Sequence, residues 1–165
     1  MKRSYALETL SWEHHNGLVL SFRLERGLQL GVEINELKKY LLHVWQSALR
    51  FHFQVEENYL FIEACKEELQ DDFNRMCSEH QEFYSIIKSL KYCEDEKKID
   101  QLINNFYQKI KDHIRFEERE FFPKVEKALS KIDARQLGQK LHDLHEPVDL
   151  SWPVEFWKQK DGKKP

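Results

Sequence analysis

Glycine and proline are scarce in this 165-residue chain, five of one and four of the other. That leaves little turn chemistry for a many-stranded fold and favours long helices. No apolar run approaches the roughly 20 residues of a membrane span, and residues 1–8 lack the continuous apolar stretch of a signal peptide. The expectation is a cytoplasmic protein with no membrane partner. Cysteine is limited to Cys65, Cys77 and Cys93, an odd number with no Cys-x-x-Cys spacing. Free thiols in a reducing compartment are the simplest reading. An excess of positive charge is also missing: the net charge of −3 argues against nucleic acid as a partner.

What is present has helical period nearly throughout. The length is that of a single core-forming unit. A first helix is expected from a cap at Thr9 or Ser11 to about Gly27–Gly31, and a second from about Glu33 to about Lys66. A third begins near Asp71 or Asp72. The polar stretch 91–98 holds a turn, and a fourth helix follows that bends, rather than stops, at Pro123. Four long helices with short connections predict an all-α, up-down-up-down four-helix bundle over residues 1–130. Residues 131–165 are expected to form a short amphipathic helix and a tail whose Trp152, Phe156 and Trp157 lie back on the bundle.

The most informative pattern is doubled. His52 and Glu56 form one His-x-x-x-Glu unit, His113 and Glu117 another, and each is preceded by a histidine in a Glu-His context, Glu13-His14-His15 and Glu79-His80. Residues four apart share a helix face, so each unit aims an imidazole and a carboxylate in one direction. The spacing of 37 residues from His15 to His52 and 33 from His80 to His113 makes each half a helical hairpin bearing half a site. The surrounding stripes carry Trp45, Phe53, Tyr59, Phe83, Phe106 and Phe116, so these positions are interior. A carboxylate there is costly unless paired or metal-bound. His43, His142 and His145 fall outside the repeated unit and read as structural residues. Imidazole with carboxylate and no thiolate suits iron, manganese or zinc. Two carboxylates shared between two ions point to a dinuclear centre, most often iron in helical bundles. The Glu-x-x-His pattern of ferritin-like proteins and the His-Glu-x-x-His of zinc proteases are both absent.

At Glu13 to Leu18, His52 to Glu57, Glu79 to Phe83 and His113 to Pro123 the chain resembles the hemerythrin-like, or HHE cation-binding, domains. The last run is close to that family's His-x-x-x-Glu-Glu-x-x-Leu-Phe-Pro signature, and the resemblance covers about residues 10–130. It implies two iron ions joined by an oxo or hydroxo bridge and by two carboxylates, with zinc or manganese as substitutes. The implied partner is a small diatomic or peroxide ligand. The implied function is binding or reducing O2, peroxide or nitric oxide; the alternative is an iron- or redox-responsive sensor or interaction module without turnover. The expected ligands are His15, His52, Glu56, His80, His113 and Glu117. Either His14 or His15 could be the first of these. The apolar phase favours His15, because Leu18, Val19 and Phe22 follow it as Phe83, Tyr84 and Ile87 follow His80. In one respect the chain departs from the oxygen-carrying members. They have a further histidine one turn before the third-helix ligand, where this chain has Met76.

Overall fold

The computed structural model describes residues 3–60 and 67–158. Five helices and no strand occur among them. Helix α1 is Glu8–Gln29. Helix α2 runs through Ile34–Val44, a π-helical segment Trp45–Leu49, and Arg50–Tyr59. Helix α3 is Glu67–Tyr92. Helix α4 joins Glu96–Phe116, a second π-helical segment Glu117–Phe121, and Phe122–Ala128. Helix α5 is Lys131–Leu144, and a 3-10 turn follows at Phe156–Lys158. No helix among the described residues is long and apolar enough to cross a membrane.

The helix ends show which local signals operate. Asp95 caps α4 by accepting from the Lys98 N–H at 2.9 Å, and Ser130 caps α5 by accepting from Asp133 at 3.2 Å. Helix α1 closes on Gly31, the one residue at φ +67°. Its N–H donates to Leu28 and that of Val32 to Gly27, the paired closure a left-handed residue permits. The start of α1 differs from expectation: Thr9 and Ser11 lie inside the helix, and Leu7 occupies the cap position without a side-chain hydrogen bond. The Ser11 hydroxyl is committed to Glu118 at 2.6 Å. Helix α3 is already helical at Glu67, four residues before the expected start. The expected C-terminal stretch of α2, residues 61–66, lies outside the described residues. Helix α4 passes Pro123 without stopping. Proline lacks an N–H and crowds the carbonyl four residues back, and the wider π-helical turn just ahead of it relieves that conflict.

The helices pack α1 along α4 and α2, with α3 against α4 and α2 and α5 across α1. Two apolar clusters result. One contains Leu20, Leu24, Leu41, Phe53, Phe83, Phe106 and Ile110; the other Leu10, Val55, Phe73, Met76, Phe116, Phe122 and Leu141. On each of α1 to α4 one cluster gives way to the other around buried polar residues. These are His14, His52 and Glu56, His80, and His113 and Glu117. The tail adds to the first cluster through Phe156, which lies against Gly27 so closely that a Cβ there would meet its ring at 3.0 Å.

Candidate metal centre

Each long helix contributes one imidazole to the buried layer, and α2 and α4 each add a carboxylate. The α1 residue is His14, only 3% exposed. His15, the expected first ligand, is exposed to solvent. The apolar phase behind that expectation faces mostly outward: Leu18 and Phe22 are 43% and 60% exposed and Val19 is half-buried. Successive residues turn about 100° around a helix, so when that ridge faces solvent His14 is the one that turns inward.

The imidazole Nε2 atoms converge on two carboxylates. Glu56 Oε1 lies 3.5 Å from His14 and 3.3 Å from His52, while its Oε2 lies 3.4 Å from His80. Glu117 Oε2 lies 3.0 Å from His14 and 3.3 Å from His113. The Nε2 atoms of His80 and His113 are 3.1 Å apart. Two overlapping groups of potential ligands result, Glu56–His80–His113–Glu117 and His14–His52–Glu56, the atoms of each within 4.8 Å of one another. All four oxygens of Glu56 and Glu117, and His14 Nε2, are buried without a hydrogen-bond partner. An ionised carboxylate so placed is strongly disfavoured unless a cation joins it. These residues therefore fit a metal. Phe53 lies flat on His80 at 3.9 Å and Phe122 on His14 at 5.3 Å, walling the layer with aromatic surface.

A second ring of carboxylates holds the imidazoles. His52 Nδ1 donates to Glu13 at 2.8 Å, His80 to Glu57 at 2.9 Å, His113 to Glu79 at 2.7 Å and His14 to Glu118 at 2.7 Å. Each helix thus secures the imidazole of the next, and α4 closes the circle on α1. Such bonds place the proton on Nδ1 and turn the Nε2 lone pair inward. Glu118 is itself anchored by Ser11 and by Arg3, which also donates to its carbonyl at 2.8 Å. This ring is not among the residues expected from the sequence. Its signal is the doublets Glu13-His14, Glu56-Glu57, Glu79-His80 and Glu117-Glu118, in which each inner residue has an acidic neighbour.

Charge follows the same logic. Burial disfavours the charged form of His80, yet Glu56 and Glu57 beside it raise its pKa to about 9. His14 is likewise held well above the usual imidazole value, against its burial, by Glu117, Glu118 and Glu56. Burial opposes ionisation of Glu118 too, but His14, Ser11 and Arg3 lower it to about 2. The layer demands positive charge, supplied by protons where no metal ion supplies it.

The remaining histidines stand apart. His43 tilts against Trp152 at 5.2 Å, His142 pairs with Glu8 at 3.0 Å, and His145 donates to the second oxygen of Glu13 at 2.7 Å. Glu146 and Asp149 follow His142 and His145 at the same four-residue spacing, but α5 ends at Leu144, ahead of Pro147, so neither pair shares a helix face. Met76 is fully buried in the second apolar cluster.

The sequence model of the Hemerythrin HHE cation binding domain matches residues 6–125. No curated protein and no solved structure matches the chain.

Proposed function

The chain belongs to the hemerythrin HHE cation-binding family, and from that premise we propose that it is a non-haem di-iron protein that binds or reduces O2, peroxide or nitric oxide. The observation that carries this reading is the pair of orphaned carboxylates. Glu56 reaches His14 and His52 with one oxygen and His80 with the other, and Glu117 reaches both His14 and His113. Glu56 belongs to both ligand groups and Glu117 reaches from one group to His14 of the other, so both carboxylates would be available to two ions. A four-helix, up-down-up-down course supports the same reading. Along α1 and α3 the second apolar cluster precedes the site residues and the first follows them; along α2 and α4 the order is reversed.

Iron in such a site would supply electrons to a small oxidant. The chain's own residues bind, orient and exclude. His14, His52, His80 and His113 would present their Nε2 atoms to the metal; Glu13, Glu57, Glu79 and Glu118 accept from Nδ1; Phe53 and Phe122 keep bulk water away. Met76 occupies the position where oxygen carriers have a further histidine, and a thioether is a poor partner for hard iron. Without a further histidine the chain would hold the metal through His14, His52, Glu56, His80, His113 and Glu117 alone, which would favour reaction over reversible O2 storage. Cytoplasmic location is part of this reading, supported by Cys77 and Cys93 as free thiols.

Metal analysis of protein purified without chelator is expected to find about two ions per chain, iron when iron is supplied. Spectra of the reduced protein mixed with O2, peroxide or nitric oxide then test reactivity. A reproducible stoichiometry of one would overturn the dinuclear reading, and an oxygenated form stable for many minutes would overturn the argument from Met76. A sensor reading has one observation in its favour: Glu13 joins His52 to His145, at the end of α5. It predicts that limited proteolysis of the tail depends on metal.

A further inference from the structure

A cavity of about 790 Å³ lies between α1, the middle of α2 and the segment that follows α5. Its inner wall is the His52 ring with the Glu13 carboxylate that holds it, and its outer wall is formed by residues 146–149 and 151–153, with the indole of Trp152. Glu56 Oε1, one of the orphaned oxygens, lies 3.3 Å behind His52 Nε2. The charge of the lining is one-sided. Glu13, Glu146 and Asp149 contribute carboxylates, and no lysine or arginine lines the cavity. Ser151 donates to both Asp149 oxygens, which keeps that carboxyl ionised. Arg23, behind the segment, is committed to the Tyr40 hydroxyl, the Leu150 carbonyl and the face of Trp157.

A second cavity that touches an imidazole of the layer is unlike it. It is about 180 Å³, borders His113, and has Lys109 paired with Glu82 in its wall. A hydrated divalent cation needs room for its water and a negative path, and it is repelled by an ammonium group. Of these two, the larger cavity meets all three conditions.

We propose that this cavity is the port through which a divalent cation reaches the His14–His52–Glu56 group, with Glu146 and Asp149 at its mouth drawing the ion in. The port rests on the metal-centre reading above, and its test separates the two. Apoprotein is mixed anaerobically with Fe2+, and bound iron is followed in time by withdrawing the free ion with a chromogenic chelator. In wild type the initial rate is expected to fall as salt is added. In the double variant Glu146→Gln/Asp149→Asn it is expected to be about three- to tenfold slower, the effect of two lost charges within several ångströms of the path in screened water. Final iron content should be unchanged. Glu82→Gln, beside the smaller cavity, should load at the wild-type rate. A double variant that loads as fast as wild type, or equal slowing by Glu82→Gln, would overturn the port and leave the metal centre standing. Wild type that takes up no iron would overturn the centre and the port together.

Discussion

His14 and His15 differ by one position and by everything that matters to the site. His15→Ala should leave metal content and affinity unchanged, whereas His14→Ala removes the imidazole that lies near both carboxylates. Inductively coupled plasma analysis of the two variants is the direct comparison, and equal loss in both would show that the inward turn of α1 is misplaced. Removing a carboxylate should be more damaging still. Glu56→Ala takes away the residue present in both ligand groups and is expected to abolish tight binding of both ions, while His80→Ala should spare the His14–His52–Glu56 group. The outer ring acts one bond further out. Glu13→Gln keeps the shape but weakens the hold on His52 Nδ1, and a ten- to hundred-fold loss of metal affinity is the expected size. Competition with a chelator of known affinity would measure it; an unchanged affinity would mean that the ring is ornamental to binding.

At the scale of the helix, close approach decides what is tolerated. Gly138 lets α5 lie against the N-terminal segment: a Cβ there would meet the Tyr5 carbonyl oxygen at 2.6 Å. A backbone atom cannot step aside as a side chain can. Gly138→Ala should therefore cost about 1–3 kcal/mol, read as a lower midpoint in urea unfolding; a midpoint equal to wild type would mean that this contact is not held in solution. The element scale also shows why local signals succeed in some places and fail in others. Asp95 and Ser130 cap as their chemistry suggests. Ser11 does not, because the half-buried Glu118 offers its hydroxyl a charged acceptor, and a hydrogen bond to a charged group is the stronger one. The π-helical segments went unread for a similar reason. They sit one turn before His52 and at Glu117 itself, and an inserted residue in a helix leaves no mark on composition.

For the whole molecule, the polar layer between two apolar clusters couples folding, protons and metal. In the metal-free protein the His80 pKa of about 9 lies above its unfolded value. Its stabilising contribution is thus fully present below about pH 6.5 and is lost as pH rises through about 9. Glu118, lowered to about 2, contributes above its unfolded value near pH 4.5 and loses that contribution as pH falls through about 2. Thermal unfolding of apoprotein should accordingly show greatest stability near pH 5–7 and a decline toward pH 9. Metal reverses the alkaline side. Ligation needs neutral imidazoles, so uptake releases the His80 proton at pH 7 and affinity should climb toward pH 9. Calorimetry in buffers of different ionisation enthalpy would count the protons; uptake without proton release at pH 7 would contradict the arrangement. Loading should also raise the unfolding temperature, by about 2.7 kcal/mol of added stability when free metal is a hundred times its dissociation constant.

Sequence by itself determined the helical class of the molecule and the family to which it belongs. Scarce glycine and proline with helical period point to helices, and the His-x-x-x-Glu units put His52 with Glu56 and His113 with Glu117, because four residues make one helical turn and nothing distant can alter that. Tertiary structure alone decided which way α1 turns, and so that His14 faces inward. An apolar ridge such as Leu18, Val19 and Phe22 looks the same in sequence whether it is buried or bare. Tertiary structure alone also joined Glu13 to His52 and Glu118 to His14, pairs 39 and 104 residues apart whose meeting depends on how whole helices pack. Periodicity is a property of one helix; the direction in which a helix presents its faces belongs to its neighbours.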